Sequence, residues 1–209
     1  MNPVTSMSFS TPSRAELVWA VVTVTLVLGG WHAPTWSNTS VPAARSVQGE
    51  APNGAHALLP GSRLLGEASL RYWGMRIYHA RLWALPTFRS ERPAEHPLVL
   101  ELEYLRDLKG GAIAERSLAE MLRAGPIPEP QAQQWLTQMQ RLFPDVKAGD
   151  RLTGQHMPGQ GALFAYNGRT VGRIDDPDFS QRFFGIWLAP TTSQPDMRTA
   201  LLGLSPNAR

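Results

Sequence analysis

Apolar and polar residues alternate along several stretches of the chain. In HPLVLELEYLRD, Leu98, Leu100, Leu102 and Tyr104 fall on one side of an extended segment, and Glu101 and Glu103 on the other. A period of two predicts a strand with one buried and one wet face. ASLRYWGMRIYHARLWAL (Ala68 to Leu85) is dense in aromatic and branched residues and reads as strand, with Gly74 marking a turn or bulge. Beyond Gly74, Tyr78, Ala80 and Leu82 share one face, while Ile77, His79, Arg81 and Trp83 share the other. RLTGQHMPGQGALFAYNGRTVGRI reads as a strand followed by a hairpin, because Asn167-Gly168 suits a two-residue turn in which both positions take positive φ.

Other stretches carry the longer period of a helix. AIAERSLAEMLRAG (Ala112 to Gly125) places apolar residues at 113, 114, 118, 121 and 122 and ends on a glycine. PEPQAQQWLTQMQRLFP (Pro128 to Pro144) repeats the pattern with Trp135, Leu136, Met139, Leu142 and Phe143, and Pro144 stops it. In DDPDFSQRFFGIWLAP (residues 175 to 190), Asp176-Pro177 forms an N-cap and first helical position. Phe179, Phe183, Ile186 and Trp187 then share one side, either completing a core over a sheet or lining a cavity that holds a guest. TSQPDMRTALLGL starts a last short helix. Strands, a helix pair, strands and a helix pair predict an α+β fold, an antiparallel sheet with its helices gathered on one face.

The first sixty residues read differently. Leu17 to Trp31 is an uncharged apolar run of 15 residues preceded by Arg14. That is short for a spanning helix, which needs about 20, and matches a secretory apolar region of about 7–15. Residues 1–33 are therefore expected to export the chain, either as a cleaved signal peptide or as an anchor kept in the inner membrane, so that the protein is periplasmic or membrane-tethered. Residues 34–57, rich in Pro, Ser, Ala, Gly and Asn and without period, read as a disordered linker. The folded domain is expected over 58–209.

Composition narrows the chemistry. The net charge is +3 and no basic run appears, which argues against nucleic-acid binding. Without cysteine there is neither disulfide nor thiolate chemistry. His32, His56, His79, His96 and His156 lack the spacing of a metal site, and there is no nucleophile elbow or phosphate loop. No metal or cofactor is expected. What remains is polar tips on apolar strands. Tyr78 and Tyr104 lie on the apolar faces of their strands, and Arg71 and Arg76 are near Tyr78 in sequence. An Arg beside a Tyr hydroxyl at the mouth of an apolar cavity would hold a carboxylate or phenolate. The alternative is that both tyrosines are satisfied core residues.

LLGEASLRYWGMRIYHARLW is similar to the first signature of the chalcone isomerase fold: a Gly-containing turn, an Arg, and an apolar strand ending in a V-Y-A-x-x-L-Y type run. LELEYLRDLKGGAIAERS, RLFPDVKAGDRLTG and GRTVGRIDDPDFSQRFFGIWLAPTTSQPDMRTALLG resemble the bacterial chalcone isomerase-like branch, and the resemblance covers Leu64 to Gly203. It implies an open-faced β-sandwich, a large antiparallel sheet covered by a layer of helices. Plant enzymes of this fold close a ring by adding a phenolate across an enone, with the help of an Arg and of hydroxyl or ammonium groups. Their non-catalytic fatty-acid-binding relatives hold a carboxylate with an Arg and a Tyr. The matching residues here are Arg71 and Tyr78. The family's G-x-G-x-R is altered: Glu67, Ala68, Ser69 and Leu70 separate Gly66 from Arg71. The strand Thr and the later Tyr, Lys and Asn of the plant enzymes have no counterpart, Lys109 in LRDLKGG standing in different company. The catalytic set is not carried over.

The resemblance implies an exported, non-catalytic protein that binds a fatty acid or a similar amphipathic or aromatic acid between sheet and helices. Arg71, Tyr78 and Tyr104 would grip the head, and Phe179, Phe183 and Trp187 would wall the pocket or fill the core. Two other readings stay open: an isomerase or lyase acting on a phenolic enone, and a ligand-free interaction module at the membrane surface.

Overall fold

Period-two segments form ladders when their apolar faces can be buried together, and six do so here. The computed structural model of the protein describes residues 54–204. The strands are β1 (Arg63–Tyr72), β2 (Met75–Ala84), β3 (Leu98–Tyr104), β4 (Arg151–Met157), β5 (Gly161–Tyr166) and β6 (Arg169–Ile174). They pair in sequence order, each antiparallel to the next, as one meander. Ala68–Leu85 is thus a hairpin, and the segment from Arg151 contains two hairpins. Five helices accompany the sheet: α1 (Gly54–Leu58), α2 (Gly110–Ala124), α3 (Glu129–Leu142), α4 (Pro177–Leu188) and α5 (Pro195–Leu201).

The main core lies between the sheet and α2 to α5. Ala80, Leu82, Leu98, Leu100, Leu102, Leu152 and Phe164 meet Met121, Trp135, Met139, Phe179, Phe183, Trp187 and Leu201 there, all buried. Asp176 caps α4 as its sequence predicts, its Oδ1 accepting from the backbone N–H of Asp178 and Phe179 at 2.9 and 3.0 Å. Its Oδ2 accepts from Trp135 Nε1 at 2.8 Å, which ties the start of α4 to α3. At Gly66 the backbone of α5 comes so close that a Cβ would lie 2.1 Å from the Ala200 carbonyl oxygen. Only a glycine admits that approach.

The opposite face departs from expectation. Glu101 is only 3% exposed. Its carboxylate takes a hydrogen bond from Arg81 at 3.2 Å, and the same guanidinium donates to Glu103 at 3.0 Å. Arg151 joins Glu103 at 3.3 Å. The Arg81 hydrogen bond holds the Glu103 carboxyl below its usual range against the opposing effect of burial. The face is therefore a ladder of paired charges. Beside it Ala55 of α1 and Leu59, just after that helix, lie on Val99, and Gln155 Nε2 donates to the Leu58 carbonyl at 2.8 Å. Residues 54–57, expected as the end of the linker, thus begin the fold: Ala55 is apolar and Val99 needs cover. The helices are not confined to one side. The apolar run 17–31 and the rest of the linker lie outside the described residues. Among the described residues, no helix is long and apolar enough to cross a membrane.

Candidate functional site

Tyr78 on β2 and Tyr104 on β3 are direct cross-strand partners, which brings their rings edge to face at 6.0 Å between centroids. Trp187, one helical turn after Phe183 on α4, donates its Nε1–H to the Tyr78 hydroxyl at 2.9 Å. Tyr104 is 2% exposed, and its hydroxyl bonds no other side chain among the described residues. Burial pushes the Tyr78 hydroxyl up to about 12, partly offset by the Trp187 bond. Burial, with the neighbouring Tyr78, pushes Tyr104 up as well. Both stay neutral near pH 7, so they can donate a hydrogen bond to an anion but not serve as a base.

Arg71 is elsewhere. Leu70 is the residue across from Tyr78, and a register shift between Leu70 and Arg71 sets Arg71 opposite Arg76 at the hairpin end, exposed. The structure thus brings together two of the three expected residues, Tyr78 and Tyr104, and leaves the third in solvent. The charges that act on Tyr78 are Glu120 and Arg116 of α2. Glu120 is buried and held by Arg116 and by Arg123, the latter at 2.8 Å. Burial acts to raise its carboxyl, but bonds from Arg123 and Ser193 and the charge of Arg116 outweigh this and hold it below the usual range.

The interior beneath α4 is full. Phe183 stacks on Phe179 at 5.5 Å and meets Phe164 at 5.2 Å and Trp187 at 5.5 Å. Phe184 sits over Gly154, where a Cβ would already be 3.1 Å from its ring. A void beneath α4, lined by Leu100, Leu102, Leu152, Phe164 and Phe183, is about 10 Å³. That is room for one water at most.

Open space lies on the other side of α4. A cleft of about 650 Å³ runs between α4, Arg198 of α5 and the segment 91–95, with Ala124 of α2 and Gln131 of α3 also lining it. Pro93, Ala94, Ala189 and Pro190 give it apolar surface, with Leu98, Phe184 and Leu188 buried behind them, and Gly185 leaves its middle clear. Arg182 and Arg198 also line it, with Arg92, Glu91, Glu95 and Asp178. Arg198 Nε donates to the Leu188 carbonyl at 2.8 Å. Arg182 donates to the carbonyls of Gly125 and Pro126 at 3.4 and 3.2 Å. Neither is within ion-pair distance of a carboxylate among the described residues, whereas Arg92 is paired with Glu95 at 3.6 Å. His156 also lines the cleft. Its Nε2–H donates to the Ala94 carbonyl at 2.9 Å, so Nδ1 accepts from the Ser180 hydroxyl at 2.6 Å. Burial holds this imidazole below its usual range. It pins segment 91–95 to α4 as a neutral ring.

Sequence reasoning missed Arg182, Arg198 and His156 as a group. His156 follows Leu152 and Gly154 on the apolar face of its strand, and that placement is a legible signal for a buried polar anchor. The two arginines carry none, since their grouping depends on how α4 and α5 meet.

A sequence model of the family described as chalcone isomerase-like matches residues 89–203, more than half of the 209-residue chain. The chain belongs to the chalcone isomerase-like family. It is 29% identical over 139 residues to an uncharacterized protein of Haemophilus influenzae, a match spanning 66% of this chain and 67% of that one. Its fold is also similar to the crystal structure of a fatty-acid binding protein of Arabidopsis thaliana. There the TM-score is 0.52 at 12% identity, with 68% of this chain and 87% of that one covered. At that identity the likeness is one of fold. It agrees with the sheet and helix layer described above.

Proposed function

We propose that this protein binds an amphipathic organic acid without converting it, and that the acid lies in the cleft along α4. One observation carries the reading. Arg182 and Arg198 both line a cleft of mixed polar and apolar lining and are held only by carbonyl oxygens, without a carboxylate within ion-pair distance of either among the described residues. A guanidinium held in that way keeps donors and charge for an anionic head. The volume falls within the roughly 300–1,000 Å³ of small-molecule sites. The fatty-acid binding named for the Arabidopsis protein supports the ligand class. The isomerase reading lacks support here, since Arg71 faces Arg76 and not the tyrosine pair.

A second seat, between sheet and α4, is favoured by the Tyr104 hydroxyl, which bonds no other side chain among the described residues and keeps its donor for an acid head. It requires the Phe183 and Trp187 rings to move. Titration of lipid-stripped protein with dodecanoate, followed by calorimetry, separates the two. At Gly185 an added Cβ meets only Ala189 Cβ at 3.5 Å, so Gly185→Leu fills the cleft without straining the helix. It is expected to abolish uptake, and Arg198→Gln to weaken it about tenfold. Tyr104→Phe leaves it unchanged. Loss in Tyr104→Phe with uptake intact in Gly185→Leu moves the acid to the interior. A wild-type protein that takes up no dodecanoate returns the chain to the ligand-free reading. We further infer that residues 17–31 direct export, which cell fractionation of the full chain tests.

A further inference from the structure

The end of the β1–β2 hairpin collects features that weaken the fold. Trp73 and Gly74 form its two-residue turn with φ of 49 and 76. A bulky side chain is disfavoured in that left-handed conformation. Trp73 gains little cover for it, being 86% exposed and stacked only on Tyr72, 6.1 Å away between centroids. Met75 is exposed beside them. Directly below, Arg71 and Arg76 face each other across the strands, a like-charge pair that opposes pairing. Arg106 reaches the same place, its guanidinium touching Met75 Sδ. Arg71, Arg76 and Arg106 form no ion pair among the described residues. The nearest acid along β1, Glu67, is occupied with His79 and Arg81 at 3.2 and 3.8 Å.

An aromatic apex within a collar of unpaired arginines matches the boundary of a lipid bilayer. Indole and phenol rings settle at the headgroup level, and arginines settle on anionic headgroups. We propose that the β1–β2 hairpin end docks the domain on an anionic membrane surface, with Trp73 inserted and Arg71, Arg76 and Arg106 on the headgroups. The collar contains cations only, so a neutral surface gains much less from it. A narrow convex tip inserts into a fluid interface without needing a shaped pocket opposite. This assignment is independent of the cleft and gives Arg71 a task apart from the tyrosine pair.

The test uses the full chain and vesicles of phosphatidylcholine with or without phosphatidylglycerol, part of the phosphatidylcholine being brominated to quench inserted indoles. Trp73→Asn suits the turn and keeps it folded. Both proteins carry the same residues 17–31, so the difference between them reports the hairpin alone. Wild type is expected to bind phosphatidylglycerol vesicles roughly tenfold more tightly than Trp73→Asn, and bromolipid quenching specific to wild type is expected alongside. Arg71→Gln with Arg76→Gln should abolish the preference for phosphatidylglycerol while keeping part of the quenching. Equal binding and equal quenching for wild type and Trp73→Asn would overturn the proposal. So would binding of the tip to an acidic protein with no response to either vesicle.

Discussion

Two hairpins in this protein turn on nearly the same backbone and are filled in opposite ways. Trp73-Gly74 has φ of 49 and 76; Asn167-Gly168 has 48 and 79. Asn is at home in the left-handed region, because its short amide can bond locally. Asn167 uses its amide across the sheet, at the start of β4: its Nδ2 donates to Asp150 at 2.9 Å and its Oδ1 accepts from the Arg151 N–H at 2.8 Å. The Tyr166 hydroxyl donates to the same Asp150 at 2.6 Å. Trp73 has no such network and puts its ring in water. Where the backbone chooses the residue, the turn belongs to the fold. Where the residue is set against the backbone, another requirement has chosen it, and a docking role is the one proposed above.

The comparison can be broken by exchange. Asn167→Trp removes both amide bonds and leaves Asp150 and the Arg151 N–H short of a partner. A net cost of about 2 kcal/mol is expected, read from chemical denaturation with an unchanged m-value. If that exchange were neutral, the network around Asp150 would be ornamental and the contrast between the turns would vanish. The glycines sharpen the same point. No atom lies within 4 Å of a Cβ built on Gly74 or on Gly168, yet both have positive φ. Gly74→Ala and Gly168→Ala should therefore cost about 1 kcal/mol each, through backbone strain alone. Unequal costs would mean that the two turns are not alike in backbone demand.

Much of this architecture is written in local pattern. The period of Leu98 to Tyr104, the Asp176-Pro177 cap and the Asn167-Gly168 turn each depend on neighbours in sequence, and each forms as read. Tyr78 and Tyr104 meet because both sit on the apolar phase of paired strands. What escaped depends on contacts between distant segments or on a break in phase. Arg71 shares a strand with Tyr78's partner Leu70, but the irregularity between Leu70 and Arg71 turns the expected grip into a hairpin end. Glu101 looks solvated by alternation, yet Arg81 and its neighbours cover it. The cleft is made by α4, α5 and segment 91–95, no two of which announce their contact. Trp73 hid because it extends an aromatic strand pattern and is not a turn former.

A smaller effect of opposite sign is expected at the first turn. Trp73→Asn relieves the strain of a bulky left-handed residue without losing buried contact, so the folded state should gain about 0.5 kcal/mol. Together with the vesicle result, this gives a direct reading of stability exchanged for surface chemistry. A loss of stability would show that the Tyr72–Trp73 stack supports the hairpin more than the turn strains it.

The smallest effect distinguishes the turns by pH. The Tyr166 hydroxyl, Asn167 and the Lys147 N–H hold the Asp150 carboxyl below its usual range. A carboxyl whose folded value lies below its unfolded one stabilises the fold at pH above the unfolded value, about 3.9. That contribution declines as pH falls through the folded value, because the unfolded chain takes up the proton first. Asp150 stands at the surface, where water screens its bonds, so the change should be local and not a global collapse. In amide spectra recorded on lowering the pH from 5 toward 3, signals of residues 150–152 and 166–168 should shift and broaden first. Those of residues 72–75 should stay put, because Trp73 has no carboxylate partner to lose. Asp150→Asn should flatten the response at the second turn alone. If both turns loosened together, acid would be acting on the shared sheet, and the Asn167 network would hold no separate place in it.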